Sequence, residues 1–377
     1  MSEKLLMHKD IKVAKILQNG SILEIIEVYN KDHLPVGVYN DINSLMDHLV
    51  NAWSNDRVIP DDRQNLDAIN QKLGATVTDA YAKSLGVSLT DCYWFKEENS
   101  KLCWEDVNFY DNGFEEKHFS PEYNFFHPDL TTNGTLEKTW KYIDGVPYLF
   151  KRENSNVLTV NEVVVSEIAG RLGINCTPYL ICKTTNGPWC VCPDIIKDNS
   201  TEMISALQIS HTDINNTKYC LNFLNKNFKD EFMNMLFLHC LVHNTDGHDK
   251  NIALLRNADT LEYMGFSPLY DNGTSLGSYM LNSDGTINEN VKKSNKMKDF
   301  FSNRNEILNY MGKDILRFSL SSYEELTDIV KKHYESNNIP EHIFTIACDE
   351  LKDGYDSIIK KQKEIMWQIE VNTEWER

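Results

Sequence analysis

Residues 6 to 28 alternate between apolar and polar about Gln18-Asn19-Gly20, with Val13-Ala14-Lys15-Ile16-Leu17 before the turn and Ile22-Leu23-Glu24-Ile25-Ile26 after it. A period of two around an Asn-Gly pair predicts a β-hairpin. The period then lengthens. Ile42 to Trp53 and Arg63 to Leu73 carry helical spacing, and Asn55 to Asp61, with Pro60 among its acidic and amide residues, interrupts them. Residues 1 to 120 therefore read as an α+β segment. Its aromatic cluster Tyr93, Trp94, Trp104, Phe109, Tyr110 and Phe114 reads as packing, since aromatic side chains dominate ordinary cores.

The character changes at Asp129. Thr131 to Thr139 is small and polar, and it leads into Trp140 to Ile143, the turn pair Asp144-Gly145, and Val146 to Lys151, which together predict a second hairpin. Asn161 to Leu172 then shows helical spacing of Val163, Val164, Ile168 and Leu172. A third hairpin is expected from Tyr179 to Cys182 and Trp189 to Cys192 about Asn186-Gly187, followed by a connector from Asp194 to Thr201. Phe228 to Val242 predicts a helix with one broad apolar face. Ile252 to Leu255 and Leu261 to Leu269 predict two strands beyond it, and helices are expected over Met297 to Met311, Tyr323 to Tyr334 and the stretch containing Ile346 to Ile369. Three parts follow: residues 1–120, residues 121–200, and a mostly helical 201–377.

The helix ending near Val242 must stop before Asn244-Thr245-Asp246-Gly247-His248-Asp249-Lys250-Asn251, which puts Asp246 on a loop. An Asp, an Asn five positions later and a further Asp after a pair of strands reproduce the order used for phosphoryl transfer. There one Asp accepts the proton of the acceptor hydroxyl, and the other two residues bind Mg²⁺ across the phosphates. Asp246, Asn251 and Asp271 fill those places. A small-residue loop followed by a ribbon ending in Lys151 suits nucleotide phosphates, with backbone N–H groups above and one cation beside them. Glu162 is the expected carboxylate partner of Lys151. Neither G-x-G-x-x-G nor the Walker pattern is present.

Composition narrows the partners. A formal net charge of -18 and a pI near 5.0 disfavour polyanions, and no Lys/Arg block marks a nucleic-acid or membrane footprint. No run approaches the length of a membrane helix and Met1-Ser2-Glu3-Lys4 lacks a signal-peptide core, so a soluble, cytoplasmic protein is expected. Nine cysteines without a C-x-x-C pair fit reduced thiols rather than a disulfide framework.

Taken together, Gly134-Thr135-Leu136-Glu137-Lys138-Thr139, Asn161-Glu162 on a helix closing Arg171-Leu172-Gly173-Ile174, Asn244-Thr245-Asp246-x-His248-x-x-Asn251 and Ser267-Pro268-Leu269-Tyr270-Asp271 resemble the HipA-type serine/threonine kinases of toxin–antitoxin systems. The resemblance spans roughly Leu130 to the C-terminus. It implies an atypical two-lobed kinase fold with a mostly helical C-terminal lobe, ATP and Mg²⁺ as cofactors, Asp246 as base, and Asn251 and Asp271 as metal ligands. It also implies that Lys151 lies on the phosphates, that Asn133, Gly134, Thr135 and Lys138 bind nucleotide in the phosphate loop, and that His248 supports the catalytic loop. Thr131, Thr132 and Thr135 become candidates for autophosphorylation, and an antitoxin protein becomes a candidate partner; the protein substrate is unspecified. The Asp271-Asn272-Gly273 run departs from D-F-G in its middle residue, and residues 1–120 do not show the family's usual N-terminal subdomain. Two other classes compete: a nucleotide-binding pseudokinase or scaffold, and a zinc hydrolase built on His239-x₃-His243, where Cys240 stands in place of the required Glu.

Overall fold

A computed structural model describes residues 2–19, 22–39, 43–60, 63–64, 66–73, 76, 85–113, 128–132, 134–153, 155–185, 187–213, 217–291 and 300–375. The calls on Gly20, Phe114, Asn133 and Asn186 lie outside the described residues. The mixed helix and strand content agrees with the α+β expectation. The chain forms two compact units: residues 1–151, 193–220 and 253–267 in one, and residues 152–192, 221–252 and 268–377 in the other.

In the first unit, β1 (Ser2–His8), β2 (Ile11–Asn19), β3 (Ile22–Val28) and β4 (Tyr93–Lys96) form an antiparallel sheet in the order β3-β2-β1-β4. The expected hairpin is present, closing at Asn19 opposite Ile22. β1 and β4 had no alternation to reveal them, because both faces of their pairing are buried. Leu6, Tyr93 and Phe95 face one core with Ile16, Val50 and Trp53; Leu5, Met7 and Trp94 face another with Trp104 and Phe109. The described members of the aromatic cluster are thus core, as read, with Tyr110 packed against it. The helix Asn43–Asn55 lies close to its expected span, whereas the one expected from Arg63 begins at Leu66 and ends at Leu73.

β5 (Glu137–Ile143) and β6 (Val146–Arg152) form the second hairpin. Asp144 and Gly145 both have positive φ, 49° and 82°, as a type I′ turn requires. The strands Ala253–Asn257 and Tyr263–Phe266 pair as expected, and Thr201–Ser205, placed at the end of a connector by the sequence, adds a third strand along Ala253–Asn257.

A buried ionic cluster ties this unit together. The Glu202 carboxylate lies 2.9 Å from His8 Nε2, accepts the Cys92 N–H at 3.0 Å, and accepts Arg256 Nε and a terminal guanidinium nitrogen at 3.1 and 2.6 Å. Burial alone would push its pKa up, but the His8 hydrogen bond and charge, Arg256 and the Cys92 N–H outweigh burial and hold it at about 2. Three chain segments remote in sequence meet at this one carboxylate.

The second unit is mainly helical. Its helix Val157–Arg171 begins one turn before the expected Asn161, because Glu153 Oε1 accepts the Leu158 N–H at 2.7 Å near its start. It ends in a Schellman motif: Gly173, at φ 70°, donates to Gly170 O, and Ile174 donates to Ala169 O. Leu180–Thr184 and Gly187–Pro193 form the third hairpin. The helix Lys229–Val242 departs from the single-face reading. Every residue from Met235 to Val242 is buried, so this is a central core helix rather than an amphipathic one. The helix expected over Met297 to Met311 starts only at Arg304, where Asn303 caps it by accepting the Glu306 N–H. Ser322 and Glu325 form a capping box for Tyr323–Ser336, and the last helix runs Glu341–Trp375.

Two helical glycines differ in their surroundings. A Cβ on Gly170 would meet nothing within 4 Å, whereas one on Gly354 would run into the backbone carbonyls of Leu241 and Cys240. Denaturant unfolding should therefore show Gly170→Ala stabilising by about 0.5–1 kcal/mol. Gly354→Ala should destabilise by about 1–3 kcal/mol, because the Glu341–Trp375 helix must move off the core helix. For Glu202 the folded pKa lies below the unfolded one, so its contribution is complete above about pH 4.5 and is lost as the pH falls through about 2. Acid titration by circular dichroism should show Glu202→Gln less stable at neutral pH and flatter across that window than wild type.

Candidate functional site

The core helix Lys229–Val242 ends at His243, which adopts φ 51° and donates its N–H to His239 O. Glycine usually takes this left-handed position. His243 holds it because its buried imidazole is locked, with Nδ1 2.7 Å from Glu350 Oε2 and the Tyr279 ring edge-on at 5.3 Å. Arg304 donates to Cys240 O at 3.0 Å and approaches the same carboxylate at 3.7 Å. The zinc reading loses its geometric basis here. His243 is bound to Glu350, His239 Nε2 sits 3.4 Å from the Asn244 amide, and among the described residues no group of three or more His, Cys, Asp or Glu gathers as a metal cage.

Forced round by His243, the chain enters a loop that bonds to itself. Asn244 Oδ1 accepts the Asp246 N–H at 3.0 Å, the Asn251 N–H donates to His248 O at 2.8 Å, and Asn251 Nδ2 donates to Asp246 O at 2.9 Å. The five-residue spacing of Asp246 and Asn251 is thus spanned by a hydrogen bond from one to the other. Asp246 and His248 are both about one-third exposed, and His248 Nε2 lies 3.9 Å from the carboxylate. His248 Nδ1 accepts the Lys250 N–H at 3.2 Å, which leaves the proton on Nε2, facing Asp246.

Asp271 begins the second loop. The preceding Leu269 bridges Cys176 in parallel, and the Tyr270 hydroxyl donates to Lys250 O at 2.9 Å. Asp271 itself has φ 57°, and its N–H reaches the Tyr179 hydroxyl at 3.3 Å. Burial pushes the Tyr179 and Tyr270 hydroxyls well above the usual phenol range, so both remain protonated.

Asn272 joins the two loops. Its N–H donates to Glu162 Oε2 at 2.9 Å, and its Oδ1 accepts Asn244 Nδ2 at 3.0 Å. Asn244 Oδ1 accepts Thr274 Oγ1, and the Thr245 N–H and hydroxyl both donate to Thr274 O. From the Val157–Arg171 helix, Asn161 Nδ2 donates to the carbonyls of Gly273 and Ser275, while its Oδ1 accepts the Tyr334 hydroxyl at 2.7 Å. Gly273 permits this approach, since a Cβ there would lie 2.8 Å from Leu158 O and 3.2 Å from Glu162 Oε1. The departure from D-F-G therefore has a physical reason: the middle residue carries a fully buried side-chain amide that accepts from the Asn244 amide and lies 3.9 Å from the Cys176 thiol, a setting an apolar ring cannot satisfy.

In the first unit the proposed phosphate loop is stapled at its base. Asp129 accepts the Thr139 hydroxyl and the Trp140 N–H, and Trp140 Nε1 donates to Thr132 Oγ1. Thr131 is buried and donates to Val87 O and Pro128 O; Thr132 donates to Pro128 O. Gly134 has φ 106°, and the Lys138 ammonium lies over it so closely that a Cβ would collide. Lys151 is buried at the end of its strand.

Asp246, His248 and Asn251 thus come together on one loop, bonded to the loop of Asp271 and, through Asn272, to Glu162. Sequence reasoning missed Asn244, Asn272, Asn161, Tyr334, Tyr270 and the His243–Glu350 pair. The two loop asparagines, with Asn161 and Tyr270, stood inside the quoted stretches and were given no role of their own. Tyr334 and Glu350 lie on distant helices and carried no local signal.

The family model for the HipA-like C-terminal domain matches residues 131–333, more than half of the chain, and the chain belongs to that family. Membership supports a HipA-type kinase in general terms. Among solved structures the chain is similar to a Helicobacter pylori proinflammatory kinase, CtkA, at 17% identity over 63% of this chain and 94% of that one, with a TM-score of 0.48. It is also similar to HipA in a complex with HipB and operator DNA from Shewanella oneidensis MR-1, at 12% identity over 97% of this chain and 91% of that one, again with a TM-score of 0.48. No curated protein matches. No described helix is long and apolar enough to cross a membrane.

Replacing Asn272 with the Phe of D-F-G should cost about 2 kcal/mol or more in denaturant unfolding, because it strands the buried Asn244 amide and adds bulk beside Cys176.

Proposed function

We propose that this protein is an ATP- and Mg²⁺-dependent serine/threonine kinase that transfers the γ-phosphoryl group to a protein hydroxyl. The observation that carries the reading is the Asp246–Asn251 loop, closed by the amide-to-carbonyl hydrogen bond and tied through Asn244 and Asn272 to the loop of Asp271. The donor set fits a hard cation. Asn251 uses its NH₂ on Asp246 O, which leaves its carbonyl oxygen as a neutral ligand, and Asp271 supplies a carboxylate. A Mg²⁺ ion held by Asn251 and Asp271 would offset the negative charge of the nucleotide's phosphates.

The chain's own residues do the rest. Asp246 accepts the proton of the attacking hydroxyl, with His248 Nε2 beside it to orient the carboxylate. Lys151 neutralises the nucleotide's phosphates, and Glu162 holds the Asp271 loop by accepting the Asn272 N–H. Gly134, Thr135 and Lys138, with Asn133, surround the phosphates. Thr131, Thr132 and Thr135 are the candidate autophosphorylation sites. The Thr131 hydroxyl is bonded inward to Val87 O and Pro128 O, so modification there requires the loop to open first. An antitoxin protein is the proposed partner.

Asp246→Asn should reduce phosphoryl transfer from labelled ATP by about 10²- to 10⁴-fold while Mg·ATP affinity stays within severalfold, because the base acts on the acceptor and not on the nucleotide. Mass spectrometry after incubation with Mg·ATP should find phosphate within residues 131–139 of wild type and none in the variant. Undiminished transfer by Asp246→Asn would overturn the assignment.

A further inference from the structure

The N-terminal segment has no role in the reading above, yet it grips the phosphate loop. Beyond the helix Asn43–Asn55, Arg57 makes a two-pronged bond to Asp91 at 2.9 and 2.8 Å, donates to Tyr93 O, and stacks over Trp53 at 4.5 Å. That pins the stretch to β4. Further on, the Arg63 N–H donates to Pro60 O and the Leu66 N–H to Arg63 O. The buried Arg63 guanidinium donates to the carbonyl of Thr132 and the Gln64 N–H to the carbonyl of Thr135, the latter at 2.9 Å. The Gln64 side chain is exposed and takes no part in that bond.

Peptide planes carry the argument further. In a trans peptide the carbonyl and the following N–H point in opposite directions. Holding Thr135 O against Gln64 therefore turns the Leu136 N–H the other way, and Arg63 takes the Thr132 carbonyl. A loop that receives phosphate must offer N–H groups and withhold carbonyl lone pairs, since an anion facing a carbonyl is repelled. Two carbonyls are claimed on either side of Gly134, where Lys138 adds its positive charge. Packing alone would not require both carbonyls to be taken by adjacent residues of one remote segment.

We propose that Arg63 and the Gln64 backbone amide clasp the phosphate loop in its nucleotide-receiving form, so that these two residues act as positioning residues for ATP. This rests on the kinase reading for its ligand, but the clasp itself is testable without nucleotide. In the full-length protein, hydrogen exchange across residues 134–140 should accelerate at least about tenfold in Arg63→Ala and Gln64→Pro. Both substitutions should raise the KM for ATP and the calorimetric Kd for Mg·ATP on the order of tenfold, with kcat at saturating ATP within about twofold. Arg63→Lys, which keeps a cationic donor, should fall between, and Gln64→Ala, which keeps the N–H, should match wild type. Melting temperatures separate loop effects from global loss of structure; should Arg63→Ala not fold, Arg63→Lys and the Gln64 pair decide. Unchanged loop exchange in Gln64→Pro, or equal effects of Gln64→Pro and Gln64→Ala, would overturn the clasp. Wild-type protein that binds no Mg·ATP would instead overturn the kinase reading and leave the exchange result standing.

Discussion

The amide-to-amide bond between Asn244 and Asn272 is the interaction on which the candidate site depends. Each asparagine is buried in its loop; Asn244 Oδ1 also accepts the Asp246 N–H of its own loop and the Thr274 hydroxyl of the other, and the Asn272 N–H reaches Glu162 on the helix behind it. A buried amide without a partner costs free energy comparable to a lost hydrogen bond or more, so the two loops are stable only in each other's presence. The carboxylates of Asp246 and Asp271 are carried on backbones held by that mutual requirement.

The same logic recurs below the loops. His243 occupies a backbone conformation that favours glycine, and the Glu350 carboxylate, shared with Arg304 and Tyr279, keeps it there. In the first unit Glu202 binds His8, Cys92 and Arg256 at once. Both carboxylates are nearly inaccessible to water, and both join segments that no run of apolar contacts would register so narrowly. Removing one partner from such a group leaves a charge uncompensated, which is why these clusters specify geometry more than they add stability.

Membership of the HipA-like C-terminal domain family covers residues 131–333, so the segment before it takes its meaning from contacts alone. Arg57 fixes that segment to its own sheet, and Arg63 and Gln64 extend it onto the loop carrying Gly134, so residues before the family match hold the backbone of a loop inside it.

Features set by adjacent residues were legible in the sequence. Asp144-Gly145 specified its turn, Leu172-Gly173-Ile174 its helix stop, and Asp246 with Asn251 a loop whose spacing one hydrogen bond spans, because local backbone geometry depends on a few neighbouring side chains. Strands β1 and β4 were not legible, since a strand buried on both faces loses the alternation that betrays it. Nor could the sequence show that an Asn stands in place of the aromatic ring because Asn244 waits for its side chain, that Glu162 takes the Asn272 N–H, or that Glu350 holds His243. Those pairings join residues 28, 110 and 107 positions apart, and only the tertiary fold, by excluding water around them, turns an ordinary Asn, Glu or His into an obligatory partner.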